Sequence, residues 1–343
     1  AQVIFQRISP CPLRAAPAIM APLDTSQFIT GEWNEQKVAY TTRDLLLYAV
    51  GIGCQEDKGP EFRYIYEMEP NFAPFPTYPV LLEQKGTTQD LDTTASADMY
   101  LGSFKWRPKP PQAASDGPRR PRLKLEGVRV GVDAERYIER VQPVPAQGGR
   151  FTVRSRLMGV HSKGSGALVE NESELVGEDG TVYYKFVSGG FQIGAKNFSN
   201  AGRTNSVNVT PPARSPDQVV EQYVAPNQAQ IYRLSADYNP LHVDPKFPGI
   251  KGGGFNGPIL HGLCTLGHAA RAVLGAFAES DESRFRAIKV RFASPVYPGS
   301  TLVTKCWKEG DRIIFVTESK ETGKTVLANA YMELLPPQPA SKL

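Results

Sequence analysis

The sequence is poor in the residues that announce the commonest kinds of site. Its four cysteines, Cys11, Cys54, Cys264 and Cys306, lie far apart and form no CxxC pair. Neither a structural zinc site nor a disulfide framework is therefore expected, and the usage suits a reducing compartment. Long apolar runs are missing: the best, residues 45–52, is interrupted by Gly51 and falls far short of a membrane span. A strong excess of charge is missing too. The 39 basic and 35 acidic residues leave a net charge of +4, too mild for a dedicated nucleic-acid binder. No GxGxxG follows a strand pattern and no GxSxG occurs, so no dinucleotide fingerprint or nucleophile elbow is supported. Gly323-Lys324-Thr325 looks like the end of a phosphate-binding loop, but Glu318 occupies the place of its first glycine.

What is present is material for two cores. The chain has 343 residues, 41% of them hydrophobic, comfortable for two ordinary domains. With 31 glycines and 29 prolines, it is rich in turns and is not a helical bundle. Residues 150–160, 167–175 and 181–186 read as β-rich segments joined by short Gly-containing turns. Residues 302–307, 312–319 and 325–334 repeat the arrangement. Each trio is an antiparallel meander, and the repetition points to a duplicated α+β domain. Helices stand ahead of each meander. Thr41 and Asp44 cap residues 45–48, residues 227–234 make a short helix, and residues 258–277 a long one. In the long one Ile259, Leu263, Leu266, Ala270, Val273 and Leu274 recur at helical spacing.

A long helix on a curved meander, present twice, is a double hot-dog fold: two antiparallel sheets, each with a helix or its remnant. The expected division is an arm over 1–24, an N-terminal hot-dog domain over 25–209, a linker over 210–225, a catalytic hot-dog domain over 226–336 and a tail over 337–343. Residues 107–122, with five prolines among basic residues, read as a surface insertion. The chain ends Ser341-Lys342-Leu343, the address read by the peroxisomal import receptor, so a peroxisomal location is expected.

The densest chemistry lies between Tyr232 and Pro245. Asp237 and His242 are five residues apart, and Asn239 is held extended by Pro240, which makes a shaped loop. A carboxylate and an imidazole in such a loop can share one water, the imidazole titrating near neutrality. A capping Asp and a surface His would show the same spacing. His242 and Asp244 could begin a metal site, but no further ligand lies at clear spacing and none is expected. Gly262, in Pro258-Ile259-Leu260-His261-Gly262-Leu263-Cys264-Thr265, stands in the first turn of the long helix. Its N–H, with the helix dipole behind it, suits a developing oxyanion; close helix–sheet packing would demand the same glycine.

The runs Leu234-Ser235-Ala236-Asp237-Tyr238-Asn239-Pro240-Leu241-His242-Val243-Asp244-Pro245, 258–265 and Arg291-Phe292-Ala293-Ser294-Pro295-Val296-Tyr297-Pro298-Gly299 closely resemble, in order, three blocks of the MaoC-like (R)-specific 2-enoyl-CoA hydratases, the hydratase 2 family. The resemblance covers roughly residues 25–336 and implies hydration of trans-2-enoyl-CoA to (3R)-3-hydroxyacyl-CoA. It implies a homodimer, with acyl-CoA as substrate and neither metal nor redox cofactor. It assigns Asp237 and His242 as the acid–base pair, Asn239 to hold the water and Gly262 to the oxyanion. Tyr238, Pro240, Leu241 and Phe292 would line the substrate site, and Lys163 would contact the CoA portion.

Departures from the family pattern are Ala236 in place of its usual Gly, compatible if φ there is negative, and Asp133-Ala134 in place of a His-Gly pair. If Tyr48 is the counterpart of Tyr232, Gly53 falls where Asp237 stands, so one active site per chain is expected. The prolines over 70–79 suggest that the first half has lost its central helix, which would leave room for the acyl chain. Another hot-dog acyl-thioester enzyme, a dehydratase or thioesterase, and a non-catalytic acyl-CoA-binding protein are the alternatives.

Overall fold

The computed structural model describes residues 21–55, 59–87 and 123–337. The Ser341-Lys342-Leu343 tail, the insertion at 107–122 and the first twenty residues of the arm lie outside them.

The sheet shows the duplication directly. The first half contributes β1 (Asn34–Thr41), β2 (Val130–Arg140), β3 (Gly148–Lys163), β4 (Gly166–Val176), β5 (Val182–Ile193) and the short β6 (Ala201–Gly202). The second contributes β7 (Gln218–Tyr223), β8 (Phe285–Phe292), β9 (Thr301–Glu309), β10 (Arg312–Ser319) and β11 (Thr325–Leu334). Their order is β1-β3-β4-β5-β2-β8-β11-β10-β9-β7, with β6 on β3. Read outward from the centre, each half repeats the same sequence of strands. The six meander strands match the expected segments; five contain theirs whole, and β5 begins one residue later than expected and runs seven further. The outer strands β1 and β7 and the central β2 and β8 are additions. Strand β7 falls inside the segment expected as a linker. Glu135 to Glu139 of β2 pair antiparallel with Arg291 to Ala287 of β8, so the two sheets join edge to edge and hide what would be two open edges.

One buried ion pair crosses this junction. Lys289 on β8 puts Nζ 2.7 Å from the Glu135 carboxylate, and the Lys289 side chain is 1% exposed. Ser206 Oγ donates to the other carboxylate oxygen at 2.9 Å.

The helical layer is unequal. α1 (Thr42–Gly51) begins in a capping box, the Asp44 carboxylate accepting from the Thr41 N–H and hydroxyl. Beyond it the first half has a 3-10 turn (Pro60–Tyr64), another (Tyr78–Leu81) and the one-turn α2 (Leu82–Lys85). Among the described residues no long helix covers the first meander, because Pro70, Pro74, Pro76 and Pro79 interrupt the stretch. The second half has α3 (Gln228–Tyr232), α4 (Pro248–Gly252) and α5 (Gly262–Ala278). The long helix starts four residues later than expected. Pro258 to His261 are extended, which makes Gly262 its first residue.

Every residue from Leu263 to Ala270 is buried, as in a helix enclosed on all sides. The sheet covers one side and the first half the other. A Cβ at Gly267 would collide with Ile52, so only glycine permits this approach. α1 and α3 meet through Tyr48 and Tyr232, ring centroids 6.0 Å apart, and Gln228 Nε2 donates to the Val50 and Gly51 carbonyls at the end of α1. No helix among the described residues is long and apolar enough to cross a membrane.

Candidate active site

Three short pieces of chain build the site: a 3-10 turn (Arg233–Ser235) leading to Asp237, a 3-10 turn (Pro240–His242), and the extended residues 258–261 before α5. The middle turn forms because Asn239 caps it, its side-chain oxygen accepting from Leu241 N at 3.0 Å, with Pro240 as first residue. The Asp237 carboxylate accepts from Asn239 N at 3.2 Å, an Asx turn that aims the carboxylate. Five residues of chain are thereby folded back, and Asp237 and His242 come together as expected.

His242 is buried, and its Nδ1 lies 2.7 Å from the Ile259 carbonyl oxygen. A carbonyl only accepts, so Nδ1 carries the proton. In the neutral ring Nε2 then bears the lone pair. Burial lowers the pKa of His242 from 6.5, while the Asp237 carboxylate and the Ile259 carbonyl pull it back up. The ring is a neutral base at pH 7.

Gly262 opens α5 with no side-chain cap in front of it. Its N–H has no intrahelical acceptor, and no backbone partner for it occurs among the described residues. A Cβ here would stand 3.1 Å from the Phe292 ring. A side chain here would press on the Phe292 ring, which would have to shift by a few tenths of an ångström, so close packing and the free helix N–H favour the same small residue.

His261, which no spacing rule singles out, is fully buried between the two expected residues. Its ring stacks on His242 with centroids 3.7 Å apart at 27°, and Nε2 lies 3.0 Å from the Asp237 carbonyl oxygen. Asp237, His242 and His261 bring possible ligand atoms within 4.8 Å of one another, a different trio from the His242 and Asp244 pair considered in sequence. Asp244 instead accepts from Lys246 N in a turn. Ring lone pairs lie in the ring plane, and rings stacked this nearly parallel do not converge on one ion at about 2.0–2.1 Å.

The other expected residues are spread out. Tyr238 is buried under the Arg233 guanidinium, 5.1 Å from its ring centroid, and its hydroxyl donates to Leu234 O; it shapes the loop. Leu241 and Pro240 are half-buried. Lys163 is exposed at the turn between β3 and β4. On the first-half sheet a cleft of about 360 Å³ is lined by residues including Asp133, Arg136, Asn171, Ser188 and Gln192. Asp133 is 37% exposed in its wall, 3.1 Å from Arg136. Protein enclosing the carboxyl raises its pKa, opposed by Arg136 and reinforced by Asp237.

The condition under which Ala236 would sit without strain is not met. Ala236 has φ +146°, not a negative value. The Tyr232 turn must reverse sharply to present Asp237, and the reversal falls on a buried L-residue. Strain of this kind costs about 1–3 kcal/mol. Ala236→Gly should raise the unfolding free energy by about 1 kcal/mol, less than the full strain because glycine gains freedom when unfolded; a urea titration measures it.

At the first-half counterpart of the site no acid–base pair occurs among the described residues. Gly53 lies against His268 and Arg271. Arg271 forms a two-pronged ion pair with Glu61 at 2.9 and 2.5 Å and donates to Ile52 O.

Residues 207–330 match the family described as MaoC like domain, and residues 38–101 the MFE-2 hydratase 2 N-terminal domain. The chain is 36% identical over 322 residues to peroxisomal multifunctional enzyme type 2 of Mus musculus, covering 92% of this chain and 40% of that protein. It is 35% identical to the peroxisomal enoyl-CoA hydratase 2 of Arabidopsis thaliana, covering 88% of this chain and 92% of that protein. The crystal structure of a MaoC-like dehydratase from Phytophthora capsici superposes with a TM-score of 0.76 at 33% identity, covering 91% of this chain and 99% of that one. The chain thus spans less than half of the mouse multifunctional relative and nearly the whole of the other two.

Proposed function

Because the chain belongs to the MaoC-like hydratase 2 family, we propose that it hydrates trans-2-enoyl-CoA to (3R)-3-hydroxyacyl-CoA in peroxisomal fatty-acid oxidation. The observation that carries this reading is the fixed tautomer of His242. Its bond to the Ile259 carbonyl leaves Nε2 as the basic nitrogen of a ring that has a nitrogen within 4.8 Å of an Asp237 carboxylate oxygen, and three residues after Ile259 Gly262 opens a helix with an uncapped N–H.

Each group has a task in the addition. The Gly262 N–H, with the dipole of α5 behind it, receives the thioester oxygen as negative charge develops there. Asn239 and the Asp237 carboxylate hold the water against C3. As the water oxygen bonds to C3, His242 Nε2 takes one of its protons, and Asp237 stabilises the imidazolium. The same pair returns one proton to C2, so its protonation is unchanged after turnover. No redox or metal cofactor is needed. The cleft in the first half gives the thioester a route away from the reacting carbons, with Lys163 near the CoA end. Association as a homodimer and delivery by the import receptor complete the reading.

The test is loss of ultraviolet absorbance from trans-2-decenoyl-CoA together with the configuration of the product. Formation of (3R)-3-hydroxydecanoyl-CoA supports hydration. Release of a free thiol would make the protein a thioesterase, and binding without turnover a carrier. Because burial lowers the pKa of His242, the acidic limb of kcat/KM should have its midpoint below pH 6.5, activity falling as the ring becomes protonated. A midpoint above 6.5, with circular dichroism confirming the fold, would remove His242 as the neutral base.

A further inference from the structure

We propose that His261 is the positioning residue that fixes Asp237 and His242 as one unit, acting as a permanently neutral Nε2–H donor and never as a third acid–base group. The inference rests on the hydration reading above.

Three observations lead to it. First, the partner of Nε2 is the Asp237 carbonyl oxygen at 3.0 Å, an acceptor only, so Nε2 must carry the proton. Second, Nδ1 is buried and has no hydrogen-bond partner among the described residues. Protonating it would bury a second N–H and a charge with nothing to receive either. The other neutral tautomer would set a lone pair against a carbonyl oxygen. One tautomer in one charge state is left. Third, the ring faces the groups that surround it from each neighbouring element. It stacks on His242 at 3.7 Å and meets Tyr232 at 4.9 Å, with Arg233 and Asp237 nearby. Burial, His242 and Arg233 all push its pKa well below 6.5, while the Asp237 carbonyl alone raises it.

The bond to Asp237 has a particular value at this place. The preceding residue, Ala236, holds φ +146°, and a strained residue persists only where its surroundings hold it. The His261 N–H anchors the carbonyl immediately after the strained residue, so it holds the carboxylate in place from behind. Its face meanwhile fixes the plane of the His242 ring, whose edge is held by Ile259. Asp237 and His242 reach their working geometry through one shared neighbour, which also directly precedes Gly262.

Two substitutions separate donor from ring. His261→Phe keeps an aromatic face against His242 and Tyr232 but has no donor. His261→Gln places an amide N–H where Nε2 stood but has no ring. In steady-state hydration of trans-2-decenoyl-CoA, His261→Phe should lose about 10–100-fold in kcat with KM changed less than about threefold. His261→Gln should restore most of that loss. Full activity in the Phe variant would overturn the proposal, leaving a purely packing role. A Gln variant as inactive as the Phe variant would overturn it too, since the donor would not then suffice.

Wild-type protein with ¹⁵N-labelled histidine gives a measurement that does not depend on the variants folding. His261 should show a protonated Nε2 and an unprotonated Nδ1 throughout pH 5–8; titration of this ring in that range would refute the fixed donor. A wild-type protein that does not hydrate enoyl-CoA would defeat the reading of the site instead, and the tautomer measurement would still decide the state of His261.

Discussion

Replacing His242 by Gln, or Asp237 by Asn, should lower kcat for enoyl-CoA hydration by about 10²–10⁴-fold, the range for loss of a positioned acid–base group. The argument is geometric. His242 Nε2 is the one nitrogen of that ring free to take a proton, since Nδ1 is committed to Ile259 O at 2.7 Å. Asp237 is the carboxylate that opposes the effect of burial on the ring. If the two act on one water, as proposed, the double variant should be scarcely worse than the poorer single one, as groups working as a unit are not additive. Losses that multiplied would mean that they serve separate steps. Both replacements are nearly isosteric, so the urea midpoint should stay close to that of the unaltered protein. A variant that retained activity within tenfold would exclude its residue from the proton transfer.

The second large effect is on stability. Lys289→Ala should destabilise the fold by about 3–5 kcal/mol, because it leaves the Glu135 carboxylate at the junction of the halves without its cation. The 2.7 Å contact is almost fully enclosed, and among the described residues the one other group bonded to that carboxylate is the Ser206 hydroxyl. The paired change Lys289→Met with Glu135→Leu should recover most of the loss, since removing both charges leaves nothing unpaired. Chemical denaturation of the three variants measures both effects. If Lys289→Ala unfolded at the same urea concentration as the unaltered protein, the pair would not be what holds β2 to β8.

These two sites were legible in the sequence to very different degrees. Asp237, Asn239 and His242 lie within six residues, and the Pro240 that shapes their loop stands among them, so their conjunction could be read locally. The meanders were equally plain, because alternation and glycine turns act over a few residues. Strands β1, β2, β7 and β8 were not, since edge and junction strands take their pairing from partners distant in the chain. Glu135 and Lys289 are 154 residues apart, and nothing near either of them signals the other.

Short-range periodicity and turn chemistry thus made the duplication, the meanders, the capping box of α1 and the acid–base loop readable from the residues themselves. Tertiary structure alone decided the sign of φ at Ala236, the joining of two sheets into one, and the tautomers of both histidines. Those depend on backbone carbonyls. The oxygen of Ile259 selects the proton position on His242, and that of Asp237 selects it on His261. Every residue carries the same carbonyl, so its identity leaves no trace in sequence; only its place in the folded chain makes it part of the site.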